Sequence, residues 1–193
     1  MYSVIPQQLV NEPFAWATDV FGKEELDLIV RMGKEMSLID AGVNNTGIAS
    51  LDARRSKIGW FKPNIATEFI FSRVKDAVNK LNNQFYRYDL TEMEDLQFSE
   101  YDEKYAGMYR DHTDDGFEGY GRKVSFTLQL TDEEEYEGGD LLIYRFKRDS
   151  SLQVPKTRGL LTIFPSWTIH EVTPVTKGTR HSLVGWVHGP NFR

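Results

Sequence analysis

The sequence contains no cysteine. That absence excludes disulfide scaffolds, thiolate zinc sites, iron–sulfur clusters and cysteine nucleophiles, and it leaves the redox compartment open. No stretch approaches the ~20 apolar residues of a membrane-spanning helix. The opening MYSVIPQQLVNEPF lacks a basic segment followed by an apolar run, so no signal peptide is expected and a cytoplasmic location is. Basic residues do not outweigh acidic ones: 23 Lys and Arg against 29 Asp and Glu give a formal net charge of −6. Phosphate-driven nucleic-acid binding wants a basic surface, so the charge disfavours it, and no membrane partner is expected. Repeats and low-complexity segments are missing too. What is present suffices for a core. Hydrophobic residues make up 40% of the chain, which excludes a disordered protein, and 193 residues suit one domain. The expected layout is a single domain over 1–193, with a helical support layer over 1–92 and a β core over 93–193.

The two halves differ in texture. Residues 23–36 (KEELDLIVRMGKEM) place Leu26, Ile29 and Val30 on one helical face, with Glu24 and Glu25 suited to the first turn. Residues 65–85 carry Phe69, Val74, Val78 and Leu81 at helical spacing, and Pro63 stands just ahead. A Gly- and Asn-rich loop is expected over 40–50, and a short strand over 56–61. From about residue 95, short β-prone runs follow one another: LQFSEY, GMYRDH, KVSFTLQL, DLLIYRF, GLLTIF, HEVTPV and HSLVGWV. Turn-rich stretches, including DDGFEGYG, DEEEYEGG and KGT, separate them. Many short strands at this spacing predict a β-sandwich or barrel with the N-terminal helices packed on it.

Only four histidines exist: His112, His170, His181 and His188. His112 and Asp114 form an HxD pair at the end of the run GMYRDHTD. Residues two apart in a strand share a face, so one imidazole and one carboxylate would project together. His170, after an apolar strand and a Pro–Ser–Trp turn, is the best candidate for a third ligand. Two His and one carboxylate make the facial triad of non-haem iron(II) oxygenases. An HxD pair alone is a weak signal, because histidines at strand ends are commonly satisfied polar residues. Arg180 strengthens it. It lies ten residues beyond His170, across a stretch read as a hairpin turn, and offers a planar fork for a carboxylate. His181 and His188 read as ordinary strand residues with no partner signal.

Taken together, these residues resemble the iron(II)- and 2-oxoglutarate-dependent oxygenases, and within them the prolyl 4-hydroxylase-like branch with its PKHD-type hydroxylases. Three stretches carry the likeness: YxxHxD over 109–114, RKVSFTLQLTDEEEYEGGDLLI over 122–143, and the run from Phe164–Pro165–Ser166 through His170 and Arg180 to Trp186. The likeness covers about residues 95–190 and is weak over the helical half. It implies a distorted double-stranded β-helix, or jelly roll, mainly β with N-terminal helices. It implies that His112, Asp114 and His170 hold Fe(II), and that Arg180 pairs with the distal carboxylate of 2-oxoglutarate. Tyr101 matches a family tyrosine that hydrogen-bonds the cosubstrate, with Tyr105 as a competitor. Gln129 stands where relatives often carry an aromatic residue lining the cosubstrate pocket, and Trp186 would line the pocket floor, although core packing explains a strand tryptophan equally well.

The implied activity is a dioxygenase that uses Fe(II), 2-oxoglutarate and O2 to hydroxylate an unactivated C–H bond. The branch points to a prolyl residue in a peptide or protein. A free amino acid or other small molecule is the alternative substrate, and a non-redox jelly-roll module that binds a metal or ligand is the alternative class. A zinc hydrolase could use the same three ligands, but a dedicated carboxylate-binding arginine disfavours it. Nucleic-acid dealkylases place a second arginine six residues after the first, where this chain has Trp186. The glycine-rich DDGFEGYG segment reads as a lid, the acidic run 132–137 as a solvated turn, and the Gly138–Gly139 pair as special backbone geometry. Lys147 and Arg148 read as a hairpin tip. The resemblance carries no expectation of oligomeric state.

Overall fold

The computed structural model describes residues 12–41, 52–114, 121–145 and 150–190. Most of the 40–50 loop, most of the DDGFEGYG segment and the tip carrying Lys147 and Arg148 lie outside the described residues. Thirteen strands and two helices are described. The strands are β1 (Ala15–Ala17), β2 (Ile39–Asp40), β3 (Arg54–Arg55), β4 (Lys57–Phe61), β5 (Leu96–Asp102), β6 (Met108–His112), β7 (Arg122–Gln129), β8 (Tyr136–Gly138), β9 (Leu141–Tyr144), β10 (Ser151–Gln153), β11 (Leu161–Pro165), β12 (His170–Val172) and β13 (Val175–His188). The helices are α1 (Lys23–Lys34) and α2 (Glu68–Phe85). No described helix is long and apolar enough to cross a membrane.

Two antiparallel sheets form the body, as the jelly-roll expectation requires. The larger runs β1-β11-β7-β13-β5-β4-β2, with β8 added along the start of β13; the smaller runs β10-β9-β12-β6-β3. Both helices form where the periodicity places them. Glu25 accepts a hydrogen bond from the Gly22 backbone N–H at 2.9 Å and so caps α1. It also meets Arg73 of α2 at 2.7 Å, tying the helices together. The buried side chain of Asn82 closes α2 by bonding both the N–H and the C=O of Tyr88.

The large sheet is packed differently on its two faces. Strand alternation sends Leu96 and Phe98 of β5, Val124, Phe126 and Leu128 of β7, Leu161 and Ile163 of β11, and Leu183 and Val187 of β13 toward the helices. There they form one cluster with Ile29, Ile70, Val74, Val78 and Leu81. The intervening residues face the smaller sheet, and many of them are polar yet buried: Gln97, Ser99, Ser125, Thr127, Gln129, Thr162, Arg180 and Ser182. A second, smaller apolar cluster lies with them between the sheets, built from Tyr101, Leu141, Ile143, Val154, Leu160, Phe164 and Val172 among others.

The short strand expected over 56–61 is β4, and β1, β2 and β3 add further strands to the first half. Two expectations need correction. KGT is not a turn, because β13 runs unbroken from Val175 to His188. Its Gly178 sits at φ +73° against β8, where a Cβ would meet Glu135 O at 2.3 Å. His170 and Arg180 therefore do not face each other across a hairpin. β12 pairs with β6 and β9 in the small sheet, while β13 pairs with β5 and β7 in the large one. The chain changes sheets between them, and the two residues approach the interior from opposite walls.

Candidate active site

His112 closes β6, and His170 opens β12 directly opposite it in the ladder. Asp114 lies beyond the end of β6, so shared strand alternation does not place it. The chain turns there, the Asp114 N–H donates to Ser166 O at 2.8 Å, and Arg122 donates to Asp114 O at 3.2 Å. The result is a tight cluster. His112 Nε2 stands 3.6 Å from Asp114 Oδ1, and His170 Nε2 stands 3.5 Å from Asp114 Oδ2. One nitrogen or oxygen from each residue falls within a 4.8 Å span, the one such grouping among the described residues.

The donor chemistry fits a divalent metal. His112 Nδ1 lies 2.7 Å from Arg110 O, and His170 Nδ1 lies 2.9 Å from Thr168 O. A carbonyl can only accept, so each Nδ1 carries a proton and each Nε2 is the ring nitrogen that faces Asp114. Burial, with His170 alongside, pushes the His112 imidazole well below its ordinary range, so it stays neutral and able to ligate. Burial opposes ionisation of Asp114. The charge that a proton on His170 or His112 would carry, together with the Ser125 hydroxyl, more than offsets this and holds its carboxyl below the usual range. Ser125 donates to Asp114 Oδ2 at 2.7 Å. Tyr109 stacks on His112 at 3.5 Å between ring centres, and Phe164 packs on His170 at 4.7 Å, which restricts both imidazoles.

A cavity opens between the sheets, lined by Thr127, Gln129, Tyr136, Lys156, Thr162 and Arg180 with several apolar neighbours. Leu141, Val154 and Leu160 belong both to its wall and to the inter-sheet cluster whose Phe164 touches His170. Arg180 is 4% exposed, and no described carboxylate or hydrogen-bond acceptor pairs with its guanidinium. Its neighbour is the Tyr101 ring, 5.5 Å from the guanidinium carbon. Buried arginines are normally paired, so this one presents an uncompensated cation to the cavity. Lys156, by contrast, is held by Asp140 at 2.8 Å and Gly138 O at 2.6 Å and lies over the Tyr136 ring.

The other sequence candidates fall in distinct places. Gln129 lines the cavity, but its amide hydrogens go to Thr131 O and Tyr136 Oη, so it fixes Tyr136. Tyr101 is buried beneath Arg180 without lining the cavity. Tyr105 donates to Glu100 O on a single helical turn nearby. Trp186 also stands apart from the cavity wall, beside Asp114. His181 and His188 do have partners, Glu100 at 3.4 Å and Glu94 at 2.6 Å, supplied by residues too distant in sequence to be read from it. Ser125, Tyr136 and Lys156 escaped the sequence reading, because a serine in a strand and a tyrosine in an acidic turn carry no local signal. Gly138 and Gly139 adopt φ +71° and +61°, as their special geometry predicts.

Fold and cluster together define a jelly-roll protein with a two-histidine, one-carboxylate centre and a cation-lined interior. Residues 96–188 match the family model described as the 2OG-Fe(II) oxygenase superfamily. That superfamily is named for Fe(II) and 2-oxoglutarate, and the His112–Asp114–His170 cluster is a donor set that fits such a metal. The chain is similar to a PKHD-type hydroxylase of Gloeothece citriformis, 39% identical over 120 residues, covering 59% of this chain and 51% of the relative. A PKHD-type hydroxylase of Prochlorococcus marinus is 42% identical over 83 residues, covering 42% and 37%. The chain thus spans about half or less of the length of these curated relatives. Among solved structures, a Pseudomonas putida prolyl-4-hydroxylase shares the fold with a TM-score of 0.75 at 24% identity, over 93% of this chain and 95% of that one. A Trichoplax adhaerens prolyl hydroxylase, solved with a hypoxia inducible factor peptide, gives 0.76 at 18% identity over 94% and 86%.

Proposed function

We propose that this protein is an Fe(II)- and 2-oxoglutarate-dependent dioxygenase that hydroxylates an unactivated C–H bond, with a prolyl residue of a peptide or protein as substrate. The observation that carries the reading is the buried, unpaired guanidinium of Arg180 in the same interior as the His112–Asp114–His170 cluster. A structural role for such a cation would require a resident carboxylate, whereas a dicarboxylate cosubstrate brings its own. When bound, the metal with 2-oxoglutarate and O2 supplies oxidation of the C–H bond, coupled to conversion of the keto acid to succinate and carbon dioxide.

The chain's own residues do the rest. His112 and His170 would hold the metal through Nε2, and Asp114 through a carboxylate oxygen. Arg180 orients the cosubstrate through its far carboxylate, with Tyr101 supporting the guanidinium and Gln129 holding Tyr136 at the cavity wall. The inter-sheet cluster keeps bulk water from the reacting centre. Support for a prolyl substrate comes from the named activities of the structural neighbours. Exposed Trp167 and Ile169, just ahead of His170, add an apolar surface against which a pyrrolidine ring can pack.

The test is anaerobic titration with Fe(II) and 2-oxoglutarate, following the weak visible charge-transfer band of the chelate in wild type and Arg180→Ala. A band in wild type that weakens in the variant is expected. Folded, iron-loaded wild type without a band would overturn the cosubstrate assignment. Succinate release on adding proline-containing peptides, set against free amino acids, then tests the substrate class.

A further inference from the structure

Trp186 is a buried residue with an unsatisfied donor. The side chain is 7% exposed, and its indole Nε1 is shut off from solvent without a hydrogen-bond partner among the described residues. Buried donors are ordinarily satisfied, because leaving one unpaired costs free energy that an apolar ring of the same shape would avoid. A phenylalanine could pack here, so the N–H calls for an explanation.

Its surroundings supply one. Trp186 on β13 is the cross-strand partner of Ser125 on β7, so the two side chains stand side by side on the inward face. Ser125 already donates to Asp114 Oδ2, and its hydroxyl is shared with Ser166 Oγ at 3.1 Å. The indole N–H makes no hydrogen bond of its own to that carboxylate. The ring is held from behind. The Arg122 guanidinium lies over it at 4.1 Å while donating to Asp114 O, and Glu94 grips Arg122 at 2.6 and 2.7 Å. Trp186 O accepts from the Glu94 N–H at 3.0 Å. One network therefore locks the indole, the Asp114 backbone and the strand that carries Ser125.

We propose that Ser125 and Trp186 form a two-donor clamp on the Asp114 carboxylate, the hydroxyl engaged already and the indole N–H engaging when a divalent metal binds at His112, Asp114 and His170. Trp186 is then a positioning residue. It acts on the metal centre through Asp114 and fixes which way the carboxylate presents itself, as outer partners of metal ligands generally do. The inference rests on the metal assignment proposed above.

The experiment uses Zn(II), a diamagnetic occupant of the same ligands, and the indole N–H resonances of the four tryptophans, with Trp186 assigned by its loss in Trp186→Phe. Zinc is expected to move the Trp186 resonance downfield and slow its solvent exchange, while Trp16 and Trp167 stay put. Trp186→Phe keeps the ring beneath Arg122. It is expected to retain the metal-free melting temperature while losing about tenfold in Zn(II) affinity, with Ser125→Ala losing at least as much. A Trp186 resonance that ignores zinc, or that moves only when 2-oxoglutarate is added, overturns the clamp and leaves the metal site standing. Wild type that binds no zinc, or binds it equally well as His170→Ala, overturns the clamp and the metal assignment together.

Discussion

The two faces of the large sheet come from the same strands and serve opposite ends. On the helix face, Phe126, Leu128, Leu161, Ile163 and Leu183 are fully buried among apolar neighbours. One residue along each strand, Ser125, Thr127, Gln129, Thr162 and Ser182 are buried too, yet they are polar. A fold optimised for stability alone would not hide that many hydroxyls and amides together with a lone guanidinium. The first face holds the protein together, and the second spends some of that stability on a shaped, polar interior. Alternation with period two lets both be written into one strand.

Substitution can separate the two roles. Phe126→Ala should produce the largest effect, a loss of about 3–5 kcal/mol in unfolding free energy by urea denaturation, since a large buried ring leaves a cavity behind. The fraction still folded should bind 2-oxoglutarate as wild type does. Arg180→Met, on the polar face, should do the reverse. Removing the cation that meets a buried carboxylate typically costs about 2–5 kcal/mol, so affinity for 2-oxoglutarate by calorimetry should fall at least about 30-fold. Ligand-free stability should hold or rise, because an uncompensated buried charge is gone. Equal stability losses from both substitutions would erase the distinction.

Gly33→Ala sharpens the helix side. A Cβ there would stand 2.4 Å from the Phe98 ring, so α1 must lift off the sheet. Overpacking of about 1–3 kcal/mol should exceed the helix-propensity gain of at most about 1 kcal/mol, lowering the urea midpoint. The smallest effect concerns Glu100, whose carboxyl is held below its usual value chiefly by hydrogen bonding to His181. A folded-state value below the unfolded one adds stability that is present above the unfolded value and lost as pH falls through the folded one. Glu100→Gln should therefore flatten the stability–pH curve below about pH 4.5, by less than about 1 kcal/mol at this partly exposed site. An unchanged acid limb would remove Glu100 from the account.

Much was legible locally. Helical spacing marked α1 and α2 because the period of 3.6 is visible within one segment, and β-prone runs marked β5, β7, β11 and β13 for the same reason. His112, Asp114, His170 and Arg180 could be picked out because their residue types are rare and chemically loaded. Legibility failed where a partner lay far along the chain. An HxD spacing points Asp114 along a strand face, whereas Ser166, Arg122 and Ser125 set it in place beyond the strand end. A ten-residue spacing suggests a hairpin between His170 and Arg180, whereas the chain changes sheets between them. His181 and His188 looked idle because Glu100 and Glu94 are 81 and 94 residues away.

By itself, the sequence determined the class of elements, the exclusion of thiol chemistry, and the set of side chains able to carry metal and carboxylate chemistry. All of these follow from composition and short-range periodicity. Only the tertiary structure decided which wall each side chain projects from, that Arg180 would be buried without an acid, and that Trp186 would stand beside Ser125 and Asp114. Those outcomes depend on strand register and on which sheet a segment joins. Both are set by packing between residues far apart in the chain, and a local pattern does not encode them.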